Sequence, residues 1–198
     1  MSSWRSRARA PYRRIRRDRA DRRAAGPAPE VSMELRPGPE APPVEESLVD
    51  AAIYRDGRRV ASPKTLAETY RLLRDQADDA MAWIGLYRPA EQQLLAAAEE
   101  FGLHELAVED AIVAHQRPKL ERYDDTLFVV LRSARYLDAA EEVEFGEIHV
   151  FVGPRFVITV RHSRTPNLGA VRHRMEEDPE LLARGTEAIL YAILDSVV

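Results

Sequence analysis

Cysteine is absent from all 198 residues. That excludes a disulfide framework, a thiolate metal centre and a cysteine nucleophile. Aromatic residues make up only 7% of the chain. No run approaches the roughly 20 consecutive apolar residues that a membrane helix needs. The first residues carry charges without a following apolar stretch, which argues against a secretory signal. An arginine-rich start resembles a transit peptide in part, but Asp18, Asp21 and the few serines weigh against one. Taken alone, the chain is expected to be soluble. There is no glycine-rich phosphate loop, no GxSxG and no HExxH, so the usual signatures of phosphoryl transfer, serine hydrolysis and zinc proteolysis are missing. The expectation is a protein that is not an enzyme.

What is present is unevenly distributed. The net charge of -4 conceals ten arginines within residues 1–25, opposed only by Asp18 and Asp21. The rest of the chain holds nineteen basic and thirty-one acidic side chains. A basic arm is therefore joined to an acidic body, which favours cations over nucleic acid as the body's ligand. After the arginines come Pro27, Pro29, Pro37, Pro39, Pro42 and Pro43, with no apolar periodicity to offset the entropy of ordering. Residues 1–45 are expected to form a disordered arm, and residues 46–198 a single domain.

Within that domain the periodicities alternate. Val49 to Ile53, then Asp56-Gly57, reads as a strand entering a tight hairpin. Ser62-Pro63 offers a helix start, followed by Leu66, Tyr70 and Leu73 on one stripe. Met81 to Tyr87 reads as a strand. Pro89 opens a helix whose face carries Leu94, Leu95, Ala98 and Phe101, and which Gly102 ends. A short helix is expected over Leu106 to Ile112, then a break at Pro118. Strands follow at Thr126 to Ala134, Glu147 to Val152 and Arg155 to Arg161, the last two joined by Gly153-Pro154. A helix marked by Leu168, Val171 and Met175 stops near Asp178-Pro179. Another carries Ile189, Leu190, Ile193, Leu194 and Val197. It reaches the final residue in mid-stripe without a cap, and so reads as cut short. The expected fold class is α/β: a mixed sheet of about six strands sandwiched between helices.

The chemistry-bearing side chains concentrate in LHELAVEDAIVAHQRPKLERYDD, residues 103–125. His104 and His115 stand eleven apart, neither the i, i+3 nor the i, i+4 spacing that brings two ligands together on one helix. Glu109 and Asp110 are adjacent on a helix and point about 100° apart, which suits no shared acid/base task. Adjacent carboxylates at a helix end do suit hydrated hard cations, since Mg²⁺ keeps waters and takes few protein ligands. A merely solvated acidic face is the competing reading. Gln116-Arg117-Pro118-Lys119 is read as structural: proline imposes an extended segment, and the charges pair with Glu121, Asp124 or Asp125.

The same stretch, continued through TLFVVL, resembles the signature of the CorA family of magnesium/cobalt channels. It shows Leu-His, Val-Glu-Asp, Gln-Arg-Pro-Lys and Tyr-Asp-Asp in order. Trp83-Ile84-Gly85-Leu86, Phe151 to Val160 and Gly185 to Val198 resemble flanking parts of that family's cytoplasmic domain, so the likeness covers about residues 46–198. Glu105 and Thr126 depart from the family's usual proline and histidine. Gly169 stands where some relatives carry an acidic residue. The resemblance implies an ion-sensing, regulatory cytoplasmic domain of a channel for Mg²⁺, Co²⁺ or another divalent cation. It implies a homopentamer in the cell membrane, this domain on the cytoplasmic side, and membrane helices beyond Val198. By motif, Asp110 is similar to the principal sensing aspartate and Glu109 to its neighbour. The alternative is a stand-alone interaction module whose arm binds RNA or anionic lipid; for the domain itself no nucleic-acid partner is expected.

Overall fold

Every second residue of Met81–Tyr87 must face one side of a sheet, and both sides of this strand are apolar. Ala82, Ile84 and Leu86 point one way, Met81 and Trp83 the other, and all five are buried. A strand apolar on both faces needs cover on both faces. The computed structural model, which describes residues 47–76, 79–138, 141–163 and 166–197, supplies it. The expected arm over residues 1–45 lies outside the described residues, as does Val198.

In chain order the elements are β1 (Leu48–Arg55), β2 (Arg58–Ala61), α1 (Leu66–Asp75), β3 (Met81–Tyr87), α2 (Glu91–Phe101), α3 (Glu105–Val113), β4 (Lys119–Tyr123), β5 (Thr126–Leu137), β6 (Glu142–Val152), β7 (Phe156–Arg161), α4 (Leu168–Glu176), α5 (Pro179–Leu182) and α6 (Thr186–Val197). The strands form one sheet in the order β2-β1-β3-β7-β6-β5-β4. Only β3 and β7 pair in parallel; the other neighbours are antiparallel. The α/β sandwich with a mixed sheet is as the sequence predicts, with seven strands in place of about six. The additional strand is β4, in the segment after Pro118.

Two apolar layers result. On one face α1, α2 and α3 contribute Leu73, Leu94, Ala107, Val108 and Ala111, and the link between α2 and α3 adds Leu103. On the other, α4, α5 and α6 contribute Leu168, Val171, Met175, Leu182, Ile189 and Ile193. Each fully buried aliphatic or aromatic side chain of this size is worth about 2 kcal/mol of transfer free energy. Register aligns the first layer into rows that cross the sheet. One row runs Ala51, Ile84, Ile158, Phe151, Phe128 and ends on Glu121 at the edge. The next runs Leu86, Val160, His149, Val130 and ends on Lys119. The apolar rows thus finish in charged residues on β4, beside α3.

Local signals behave as elementary chemistry requires, with one shift. The cap of α1 is Thr65, not Ser62: its hydroxyl accepts from the Glu68 N–H at 3.1 Å, while Glu68 accepts from the Lys64 N–H at 2.7 Å. The Thr65 hydroxyl thus caps the helix, and Glu68 fixes the residue just before the cap. Gly102 ends α2 at φ 66°, a left-handed conformation that glycine adopts freely. Beyond the body of the sheet, β5 and β6 continue as a two-stranded ribbon through the Tyr136–Val143 and Ala134–Phe145 pairs. The sequence reading ended both strands short of it. Among the described residues no helix is long and apolar enough to cross a membrane.

Candidate functional site

α3 is short and begins on His104, whose Nδ1 accepts from the Leu106 N–H at 3.3 Å. The His104 ring also stacks on Tyr123 of β4, centroids 4.2 Å apart. These two contacts give His104 a capping and packing role rather than a ligand's. Ala107, Val108 and Ala111 turn into the core, which leaves Glu109 exposed and Asp110 at the margin. Asp110 is half-buried, 24% exposed at its side chain, rather than on the open helix face that the sequence suggests.

What covers Asp110 is Lys119. Its Nζ donates to Asp110 Oδ2 at 2.7 Å and to Glu121 Oε2 at 2.8 Å. The Tyr123 hydroxyl donates to the same Glu121 oxygen at 2.9 Å. Lys119, Glu121 and Tyr123 alternate along β4 and therefore share its α3-facing side. Hydrogen bonds to Asp110 and then to Glu121 push the Lys119 ammonium up to about 12, and those from Lys119 and Tyr123 hold the Glu121 carboxyl below its ordinary value. Of the charges in the Gln116–Lys119 block, Lys119 pairs with the expected Glu121 and also reaches Asp110. Glu109 has no such neighbour in the described contacts and faces solvent.

Behind Asp110 lies a buried polar group that the sequence reading missed. Glu147 of β6, 9% exposed at its side chain, accepts from the Gln116 N–H at 3.1 Å and from Arg132 at 3.3 Å. Its other neighbour is the wholly buried His149, whose Nε2 approaches Oε1 to 2.9 Å without the alignment of a hydrogen bond. The His149 ring lies parallel to Phe128, and His162 meets it edge-on at 5.7 Å. Burial pushes His149 down to about 4; His162 adds to that and Glu147 opposes it. His162 in turn contacts the Ala111 carbonyl through Nε2 at 3.0 Å. The end of α3 is thus held at Ala111 by His162, just beyond β7, and the segment after the helix is held at Gln116 by Glu147 of β6. Between them Ala114 and His115 take positive φ, 56° and 61°. A cavity of about 290 Å³, lined in part by His115, Arg132, Glu147 and His162, opens beside this turn.

The donors at Asp110 and Glu109 are hard oxygens, which fits a cation such as Mg²⁺ that keeps most of its water. Among the described residues no three histidine or acidic side chains converge to hold a metal. Among the described residues there is therefore no enclosed metal cage at α3. The scattered histidines do not assemble a transition-metal centre among the described residues either.

Comparison with known proteins bears on the same segment. The model of the family described as CorA-like Mg²⁺ transporter protein matches residues 78–198, which includes α3, β4 and all that follows. YfjQ of Bacillus subtilis, named as a metal ion transporter, is 34% identical over 124 residues, 63% of this chain and 38% of that protein. Two solved structures share the fold. The full-length CmaX protein superposes with a TM-score of 0.62 at 18% identity, over 77% of this chain and 46% of the other. The soluble domain of CorA from Methanocaldococcus jannaschii gives 0.55 at 15% identity, over 76% and 56%. The chain spans well under two thirds of the length of each of these relatives.

Proposed function

The chain belongs to the CorA-like Mg²⁺ transporter protein family, and we propose that it is the ion-sensing domain of a transmembrane divalent-cation transporter. The transported and regulatory ion is Mg²⁺, with Co²⁺ as the alternative that the sequence resemblance brings. In this reading the domain lies on the cytoplasmic side of a membrane-embedded homopentamer and does no covalent chemistry of its own. Asp110 is the principal ion contact and Glu109 its neighbour. The supporting observation is the placement of Asp110: the family-matched segment brings its carboxylate to the rim of the domain, half-exposed, on a helix end anchored to the sheet.

The physical logic is that of an interface clamp. A hydrated dication can neutralise carboxylates from two subunits at once, and it stabilises whichever arrangement brings them together. A sensor of this kind favours the closed arrangement when the ion is plentiful and releases it when the ion is scarce.

The test uses the transporter polypeptide that contains this chain, reconstituted in liposomes. Mg²⁺ uptake should occur and should be inhibited by Mg²⁺ on the domain's side. Asp110→Ala should raise the inhibitory concentration several-fold, and Glu109→Ala should raise it less. Absence of uptake, or inhibition unchanged in both variants, would overturn the proposal.

A further inference from the structure

The ion-sensing reading gives no task to Lys119, yet Lys119 occupies the carboxylate on which that reading depends. Its ammonium lies 2.7 Å from Asp110 and 2.8 Å from Glu121, and 5.7 Å from the centre of the Phe128 ring. Row alignment fixes it there. Lys119 sits opposite Val130, in line with the buried His149 and Val160, so its stem runs out from the core layer and its charged end emerges beside α3. The contact is therefore built into the register of β4.

We propose that Lys119 is an affinity-setting residue of the Asp110 site, a tethered cation that a divalent ion must displace before Asp110 is free. The inference rests on the reading of Asp110 as an ion contact. Glu121 completes the device. When the ammonium leaves Asp110 it remains held by Glu121, itself fixed by the Tyr123 hydroxyl, so release does not strand a charge. Lys119 is 28% exposed, which leaves water to receive it.

Electrostatics sets the size of the effect. A single positive charge held about 5 Å from a dication costs roughly tenfold in affinity even at the dielectric of water, and more near a protein surface. Retaining the ammonium beside the ion carries that penalty, and moving it away costs the Asp110 ion pair. Either route weakens divalent binding by about tenfold or more relative to the same site without the charge.

The experiment titrates Mg²⁺ into the whole chain at constant ionic strength, reading the unfolding temperature, with Mn²⁺ and water-proton relaxation as a second probe. Lys119→Met keeps the stem and removes the charge; Lys119→Arg keeps both. The Met variant should half-saturate at about one tenth of the wild-type concentration, and the Arg variant should behave like wild type. Asp110→Asn combined with Lys119→Met should lose the gain. Should Lys119→Met not fold, Lys119→Gln makes the same test. Equal affinities in wild type and Lys119→Met, both lost with Asp110→Asn, would overturn the role of Lys119 and leave the ion contact standing. A gain that survives Asp110→Asn would also overturn it. If neither protein responds through Asp110 at tens of millimolar ion, the contact and the competitor fall together.

Discussion

Acidification from pH 7 to pH 5 should weaken this protein chiefly through one imidazole. His149 is wholly buried between β5 and β7, flanked by Phe128, Glu147 and His162. Burial takes its pKa from 6.5 to about 4. Between those values the unfolded chain holds a proton that the folded chain refuses, so the unfolded state binds more protons and stability falls as pH falls. The contribution is complete above pH 6.5 and gone below pH 4. At about 1.4 kcal/mol per pKa unit, pH 5 removes about 2 kcal/mol of roughly 3 kcal/mol at stake. That is a large part of the ordinary stability of a domain. Carboxylates act later. Burial works to raise Asp50 but its bonds to Arg59 and Arg172 prevail, and Glu121 is held down by Lys119 and Tyr123. Their contributions are lost only as pH drops through lowered values, beneath the His149 window. The assay is urea unfolding of wild type and His149→Phe at pH 7, 6 and 5. Phenylalanine keeps a ring against Phe128 and cannot titrate, so the loss between pH 7 and pH 5 should shrink by about 2 kcal/mol. An unchanged pH dependence in the variant would refute the assignment.

Two glycines with nearly the same backbone should respond differently to alanine. Gly57, at φ 68°, would place a new Cβ 1.9 Å from the Pro179 carbonyl oxygen, whereas Gly102, at φ 66°, has nothing within 4 Å. Gly57→Ala should cost about 3 kcal/mol or more in denaturant unfolding, and Gly102→Ala only about 1 kcal/mol. On the other face, Arg172 is 9% exposed at its side chain and donates to Asp50 at 2.6 Å and to the Trp83 carbonyl at 3.1 Å. Asp50 is 39% exposed at its side chain and also pairs with Arg59, so Asp50→Ala should destabilise by about 1 kcal/mol in urea unfolding, and added salt should shrink the difference.

The central strands were legible because burial on both faces writes itself into composition. β3 and β7 are apolar at nearly every position, and the Gly153-Pro154 turn before β7 follows from residue chemistry alone: a Cβ on Gly153 would meet the Phe156 ring at 2.3 Å. β4 was not legible for the opposite reason. It is an edge strand bonded only to β5, its sequence Lys-Leu-Glu-Arg-Tyr carries charge at three of five positions, and Leu120 is 64% exposed. Charged, short edges are how sheets avoid further pairing, and they carry little hydrophobic alternation. The outer ribbon of β5 and β6 escaped notice likewise, since Glu142 and Glu144 sit in a strand held by pairing beyond the core. The parallel pairing of β3 with β7 joins segments about seventy residues apart, a distance over which no local pattern speaks.

For the site, the sequence motif named Asp110, but its surroundings come from a turn that the sequence conceals. Lys119 follows Asp110 by nine residues, and a proline lies between them. To bring β4 back alongside α3 the chain must reverse at once after Val113, and it does so through Ala114 and His115 at positive φ. A glycine there would have announced the reversal. Alanine and histidine give no signal, and each pays about 1 kcal/mol or more to adopt it. The cost is met by the contacts on either side, Ala111 to His162 just after β7 and Gln116 to Glu147 of β6. Strain held by a buried polar group close to a half-buried carboxylate is a geometry that only tertiary structure assembles. It places the Lys119 contact, the His149 titration and the position of Asp110 in one connected set of residues. On the proposed reading of Asp110 as the ion contact, Glu147→Gln should shift the Mg²⁺ concentration that half-saturates the rise in unfolding temperature, although Glu147 itself bonds the Gln116 N–H and not Asp110; an unchanged midpoint would refute this coupling.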